Sequence, residues 1–358
     1  MNVLPFLSAY FVPSVMIAGY ATGEIWLFGV IAWAWLIVVA IDLAIRPDAG
    51  NPHSEKVGDL YRTLPWRLAV RLWVPVQATV ILCGLFITTW DFLTLKELLF
   101  VTLSIGIAAG AFCIPVAHEL MHGRGRFDKI LAEILMTSVS YTQFCIEHVH
   151  GHHRNVGTAA DPGTAQFGES FYAFYPRAVF GGMASAWNLE KARLHRLGAA
   201  VWSCRNRMIR YFTSLGLFYA TISYPFGWLG VAFFAVQSVI AFSMLEVINY
   251  VNHYGLTRHE TAPGRYERVM PWHSWNSNHP MSNWMLFNLG LHSDHHYRPT
   301  KCYSYLRHSA EAPQLPSGYF GMFLLPLLPP LWRRVMDPRV QEWRKKHGVS
   351  SCADSRRC

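Results

Sequence analysis

Three separated groups of histidines carry the chemistry of this chain: His118-Glu119-Leu120-Met121-His122, Glu147-His148-Val149-His150-Gly151-His152-His153 and Leu291-His292-Ser293-Asp294-His295-His296. The rings recur at helical spacing: His118 and His122 at i, i+4; His148, His152 and His153 at i, i+4, i+5; His292, His295 and His296 at i, i+3, i+4. Each set is therefore expected on one side of a helix or helical turn. Imidazole suits iron, zinc, copper and nickel, and a catalytic zinc uses about three protein ligands. Eight such rings exceed what one ion can use, which points to two ions in one pocket. The remaining histidines outside this set and apart from His253 (His53, His150, His195, His259, His273, His279, His308 and His347) read as hydrogen-bonded core or surface residues.

Glu246 lies within an apolar run, where an ionisable side chain is costly and marks function by default. It precedes His253 by seven residues, two turns along one helix face, which brings His253 in as a ninth ligand and Glu246 as its partner. A purely structural Glu246, accepting a hydrogen bond from Asn249, Tyr250 or another helix, is the competing reading. Glu119, Glu147, Asp161 and Asp294 sit in or beside the groups, where carboxylates could orient ligating rings through the distal nitrogen.

Other chemistries use part of the pattern. His118-Glu119-Leu120-Met121-His122 alone fits the His-Glu-x-x-His zinc protease motif, but a protease leaves His152, His153, His295 and His296 unexplained. Glu119-x-x-His122 and Glu147-x-x-His150 fit the ferritin-like di-iron rule, yet that too strands two groups. A metal carrier would distribute its histidines along a path through the membrane.

The elements that must hold these rings are apolar. The chain is 52% hydrophobic and 15% charged, against about 25% charged in a soluble protein. Its apolar residues fall in runs of spanning length, predicting an all-α integral membrane protein with six transmembrane helices, near 4–20, 25–44, 72–90, 98–117, 208–225 and 228–250. The last two come from one uncharged run, Tyr211 to Leu245, too long for a single crossing and broken at Tyr224-Pro225-Phe226-Gly227. The first run lacks a basic start and a small-residue cleavage site, so it reads as a retained span.

Every Lys and Arg except Lys96 falls in the segments 46–71, 124–210 and 258 to the end, which by the positive-inside rule are cytoplasmic along with both termini. All histidine groups share that face. Residues 118–207 and 253–358 are therefore expected as a histidine-rich helical cap, with helices near Phe127–Cys145 and Ala184–Leu197 and a Gly/Asp/Pro-rich stretch near Gly157–Gly168. The stretch Gly318–Leu331, short and carrying Pro326, Pro329 and Pro330, is expected in the membrane interface. Seven cysteines without a Cys-x-x-Cys pair are expected as free thiols. One domain covers 1–358.

These motifs resemble the integral-membrane non-haem di-iron alkane monooxygenases, and more distantly the membrane xylene monooxygenases and fatty-acid desaturases. The likeness runs through the first two groups with Asp161-Pro162, through Asn249-Tyr250-Val251-Asn252-His253-Tyr254-Gly255-Leu256, and through Leu291 to His296 with Pro299-Thr300. His273 to His279 and Met336-Asp337-Pro338-Arg339 are similar too. The Asn-Tyr-x-x-His-Tyr-Gly-Leu element separates alkane and xylene hydroxylases from desaturases. Gly123-Arg124 departs from the family, which usually has a basic residue straight after the first group.

The resemblance implies an inner-membrane enzyme that uses dioxygen and two electrons to convert a medium- or long-chain alkane to the primary alcohol. His118, His122, His148, His152, His153, His253, His292, His295 and His296 would bind two irons with a position open for dioxygen. Related chemistry on alkylaromatics, terpenes or fatty acyl chains is the alternative. Electrons must come from outside, since no nucleotide-binding glycine fingerprint or cysteine-ligated iron motif is present; no flavin or nicotinamide is expected, and the family's usual donor is rubredoxin with its reductase. The basic face, with a net charge of +9, would steer an acidic carrier and is not taken as a nucleic-acid surface. Trp33, Trp35 and Phe112 are candidate tunnel residues, the competing reading being that they pack helices or face lipid.

Overall fold

The computed structural model describes residues 2–51, 63–89 and 93–348; the predicted end of the third span at Trp90, and His53, lie outside them. Among the described residues five helices are long and apolar enough to cross a membrane. The first, Leu4–Thr22, is a 3-10 turn, Leu4–Tyr10, running into α1, Phe11–Thr22, and ending at Gly23 in the left-handed region (φ 75°). The second joins the 3-10 turn Ile25–Gly29 to α2, Val30–Ala44. The third pairs a short amphipathic helix, α3, Leu64–Arg71, with α4, Trp73–Thr88.

The fourth begins at a capping box, in which Thr94 and Glu97 satisfy each other's backbone N–H groups. It continues through α5, Leu95–Ala108, a π turn, Ala109–Cys113, and α6, Ile114–Met121. Gly106 and Gly110 let this helix lie against its neighbour: a Cβ on either would come within 3.0 Å of the Gln237 or Ala241 carbonyl oxygen. Small residues at such crossings allow the close backbone approach on which apolar helix packing depends.

Then follow α7, Arg126–Thr137, α8, Phe144–Glu147, a π turn, His148–His152, α9, His153–Asn155, and α10, Phe171–Arg196. The Ala184–Leu197 expectation understates α10, which starts at the Ser170 N-cap and runs through Pro176. Aromatic residues and an internal proline concealed its first half.

The fifth apolar helix, α11, Arg207–His253, is 47 residues long but leaves helical geometry at Gly227 (φ 60°, ψ −161°). Phe218 and Tyr219 pack on Phe234 with ring centroids 5.0 and 5.1 Å apart. In one straight helix those residues would be more than about 20 Å apart, so the chain doubles back at the predicted Pro225-Phe226-Gly227 break.

Beyond α11 come a two-stranded hairpin, β1, Glu260–Ala262, and β2, Arg265–Tyr266, the one sheet among the described residues. Short helices follow: α12, Pro280–Met285, α13, His292–Tyr297, and α14, Tyr319–Met322, before α15, Pro329–Lys346, closes the fold. The Gly318–Leu331 stretch is thus broken into brief turns. Asp42 ties the bundle to this part of the chain by accepting from the Met281 and Ser282 backbone N–H groups and the Ser282 hydroxyl.

A buried ion-pair network locks α10 to the start of α11. Glu190, fully buried, accepts from Arg193 and from the Arg207 side chain and backbone. Burial alone would raise its carboxyl, but these donors outweigh burial and bring it down to about 2. A depressed acid stabilises the fold above its unfolded value and loses that contribution as pH falls through its folded value. Glu190→Gln should cost about 1–3 kcal/mol, since Arg193 and Arg207 are partly exposed and can be resolvated. In thermal unfolding of the detergent-purified protein, the gap between wild type and variant should be full near neutral pH and shrink between about pH 4.5 and pH 2; a gap independent of pH would exclude the charge as its source.

Candidate metal centre

Each histidine reaches the centre for a local reason. His118 rides on α6 and His122 caps it. His253 is the last residue of α11, and His292, His295 and His296 share a face of α13. The second group needs more than helical spacing, because at about 100° per residue i and i+5 lie about 140° apart on an α-helix. The π turn at His148–His152, bonded i to i+5, closes that angle and brings the Nε2 atoms of His148 and His153 to 3.0 Å. Gly151 is required within it: a Cβ there would sit 2.7 Å from Glu147 Oε1 and 3.1 Å from Leu189 of α10.

The nine rings converge. His118, His122, His148, His153 and His295 form one group and His152, His253 and His296 another, each with its candidate ligand atoms within 4.8 Å of one another. His292 joins the second, its Nε2 lying 3.2 Å from that of His253 and 3.0 Å from that of His296. His295 and His153 Nε2 are 3.1 Å apart, His152 and His253 Nε2 3.2 Å, and the rings of His153 and His296 stack at 4.4 Å where the groups adjoin. The rings are buried, His122 alone being half-buried.

This donor set fits metal better than it fits hydrogen bonding. A neutral imidazole has one donor and one acceptor, so His292 Nε2 cannot pair with both nitrogens facing it while they face others in turn. Nitrogens about 2.1 Å from a shared ion sit about 3.0 Å apart in octahedral and about 3.4 Å in tetrahedral geometry, close to the 3.0–3.2 Å found. His118 and His122 Nε2 are buried without a hydrogen-bond partner. Burial holds His122, His148, His153, His292, His295 and His296 well below their ordinary range, neutral and with lone pairs to give.

Of the five candidate carboxylates, one touches a ring. Asp161 Oδ2 lies 2.9 Å from His152 Nδ1 and is itself fixed by the Thr164 hydroxyl at 2.6 Å, while Gly163 N–H bonds Oδ1 at 3.0 Å. Burial would lower His152, but Asp161 reverses the sign and raises it. The other four are engaged elsewhere. Glu147 accepts from Ser185 at 3.5 Å, and burial with the neighbouring Asp161 charge raises its carboxyl. Glu246 accepts from Tyr141 at 2.8 Å and Asn249 at 3.2 Å; Glu119 accepts from the Tyr303 backbone at 3.2 Å; Asp294 binds Lys301 and the Arg307 backbone. Tyr141 lies 105 residues from Glu246, so no spacing announces it. Phe144, stacked on His148 at 4.6 Å and one turn before it, was open to discovery on the helix face.

Two cavities adjoin the rings. One, about 60 Å³ and almost wholly apolar, is lined by Trp35, Met244, Leu289 and Phe323 and ends on His118, His148 and His292. Of the tunnel candidates only Trp35 lines it: Trp33 is 69% exposed on the outer face of α2, and Phe112 is buried between Trp73 and Phe320. Alternate positions of one helix separate these roles, which residue bulk alone does not reveal. The other cavity, about 540 Å³, is lined by four cations, Arg67, Arg71, Arg124 and Lys301, against two carboxyl groups, Glu119 and Asp128, the latter paired with Arg71 at 2.8 Å, and His122 stands in its wall.

Fold and site thus define a helical protein with five helices of membrane-spanning length and apolarity, carrying a buried, histidine-walled site suited to metal. Residues 96–326 match the fatty acid desaturase family. The chain is 40% identical over 324 residues to alkane 1-monooxygenase 2 of Pseudomonas aeruginosa, covering 87% of this chain and 85% of that protein, and 39% identical to the alkane 1-monooxygenase of Acinetobacter baylyi, covering 87% and 76%. It is 31% identical over 249 residues to the xylene/toluene monooxygenase hydroxylase component of Pseudomonas putida, covering 69% and 66%. The chain belongs to the fatty acid desaturase family, in its alkane 1-monooxygenase branch.

The two histidine groups should respond separately to mutation. Asp161→Asn keeps a polar partner but removes the charge that orients His152, and loss of such a partner typically weakens metal binding about 10–100-fold. Metal analysis of purified protein should show partial loss in Asp161→Asn and greater loss in His295→Ala, with thermal unfolding confirming a folded chain. Unchanged metal content in both would exclude these residues from the centre.

Proposed function

We propose that this protein is a membrane di-iron monooxygenase that hydroxylates the terminal carbon of medium- or long-chain alkanes. The observation that carries the reading is the apolar cavity ending on three of the nine converging histidines. The reaction balances as R–H + O2 + 2 electrons + 2 protons giving R–OH + H2O. The nine histidines hold two irons, which when bound supply the redox chemistry that activates dioxygen against a C–H bond too unpolarised for acid or base.

The chain's own residues bind, orient and exclude water. An alkane offers no group for a hydrogen bond, so the cavity holds it by apolar burial, about 0.8 kcal/mol per methylene. Chains of different length are accommodated where side chains around the cavity can yield. Met244, unbranched and flexible, is suited to this, as is the Trp35 ring packed edge-on against Phe320 at 4.6 Å and Phe323 at 5.1 Å. Asn252 and Tyr319, joined by a 2.6 Å hydrogen bond, satisfy each other's polar atoms at the cavity wall.

The chain is placed in the cytoplasmic membrane with six crossings, α11 supplying two, and with the cap of residues 118–207 and 253–358 and both termini on the cytoplasmic side. The distribution of Lys and Arg supports this. Electrons arrive from a rubredoxin-type carrier. The cationic cavity supports this too: it reaches His122, the ring with least cover, and its Arg and Lys side chains complement an acidic protein.

Membranes supplied with a ladder of alkanes and alkylbenzenes under labelled oxygen gas should yield primary alcohols carrying the gas label; label from water would exclude a monooxygenase. Trp35→Ala should shift the accepted chain length, whereas Trp33→Ala should leave it unchanged. Carrier-dependent turnover should fall as salt rises, and more steeply than in Arg124→Glu, whose KM for the carrier should be raised several-fold. Salt-independent turnover would argue against electrostatic docking.

A further inference from the structure

A third cavity, about 560 Å³, lies away from the histidines and shares no lining residue with the cavity that ends on them. It runs between α4, α7 and the first arm of α11. Val74, Ile81, Leu85, Ile222 and Phe226 make its apolar length, and Glu133, Thr137, Ser138 and Thr142 its polar end. From Tyr211 to Ile222 along α11 it extends about 16 Å, the reach of roughly a dozen methylenes.

One atom in its wall lacks what it needs. Gln77 is 3% exposed, and its amide nitrogen has no hydrogen-bond partner. A buried amide donor left unpaired costs about 1–3 kcal/mol; the nitrogen is covered, but Gln77 lines the cavity, and a change of its rotamer would turn the amide onto an acceptor oxygen there. Gln77 lies little more than one turn beyond the start of α4 at Trp73, near the polar end, so the acceptor must be carried just below a headgroup. The open rim is apolar, Leu82, Ile130 and Ile134 each being about half exposed. At the mouth stand two exposed cations, Lys129, one helical turn before Glu133, and Arg210, one turn before Ser214.

We propose that this groove is a binding site for an anionic phospholipid: one acyl chain along Ile81, Leu85, Ile222 and Phe226, an ester carbonyl accepting from Gln77, and the phosphate beside Lys129 and Arg210. Basic pockets between membrane helices on the cytoplasmic side suit such headgroups. The site rests on the membrane placement given above and not on the hydroxylation reading. It differs from a product site in demanding negative charge, which a long-chain alcohol lacks.

The full-length protein, purified in detergent, would be titrated with dilauroyl phosphatidylglycerol, dilauroyl phosphatidylcholine or 1-dodecanol. Thermal unfolding and native mass spectrometry would be the readouts. Phosphatidylglycerol should raise the Tm and stay bound, and phosphatidylcholine should bind about 30-fold more weakly, as expected for two cations at an anionic headgroup. The double variant Lys129→Gln, Arg210→Gln, confined to the surface, should erase that preference, and Ala78→Phe, which fills the groove, should erase retention of both lipids with metal content unchanged. Equal retention of the two phospholipids by wild type, unaltered retention in Ala78→Phe, or 1-dodecanol displacing phosphatidylglycerol would each overturn the proposal. Recovery of the protein from the soluble fraction of cells would instead overturn the membrane placement on which it rests.

Discussion

Nine imidazole rings turned inward on one another are held together by something that imidazole alone cannot provide. Their Nε2 atoms approach to 3.0–3.2 Å in several directions at once. Neutral rings so placed repel through their lone pairs, and protonated rings would repel more strongly in a buried site. A cation at the focus would make the arrangement favourable. The long apolar helices, the two π turns and the glycines at close crossings can be read as what is needed to bring four distant stretches of chain to that focus.

The division of labour follows from this constraint. Apolar helices can deliver His118 and His253 at their ends without burying polar backbone, because a helix satisfies its own hydrogen bonds. His122 caps the same helix as His118, and the other candidate ligands come from the His148–His152 turn, α9 and α13, short pieces that would be unstable alone and are anchored by longer elements such as α10. α10 packs on the π turn through the space left by Gly151, and Glu190 fixes α10 to α11 with Arg193 and Arg207. The Glu190 network holds the first arm of α11, and His253 ends the second arm beyond the Gly227 break, so what the network steadies is α10 and the π turn packed on it.

Much of this was legible in the sequence, and the parts that were not have two causes. Histidine spacing pointed to a shared centre because ligand type and periodicity are local properties. The break at Gly227 was legible because Pro and Gly act on the backbone where they stand. By contrast, the i, i+5 spacing of His148 and His153 does not put both on one face of an α-helix; the π turn does, and nothing in His-Val-His-Gly-His announces one. The partners of the carboxylates escaped for a different reason. Tyr141 meets Glu246, Tyr303 meets Glu119 and Arg307 meets Asp294 only through tertiary packing, so charge near a motif predicted contact that in Asp161 alone is direct. Trp33 and Trp35 show the same limit: two residues apart, one faces outward and one lines the cavity.

The two cavities at the centre have opposite chemistry, and that opposition matters for a reaction that needs both hydrocarbon and electrons. The apolar one ends on His118, His148 and His292; the cationic one opens on His122. They share no lining residue, so the histidine cluster itself is the partition. An alkane gains nothing from the cationic side, where burial would strip water from Arg and Lys at a cost of several kcal/mol per ion. An electron-transfer partner gains nothing from a cavity within the helices that its surface cannot enter. Each reactant is therefore sorted by solvation to its own side of the histidine cluster, His118, His148 and His292 on one side and His122 on the other.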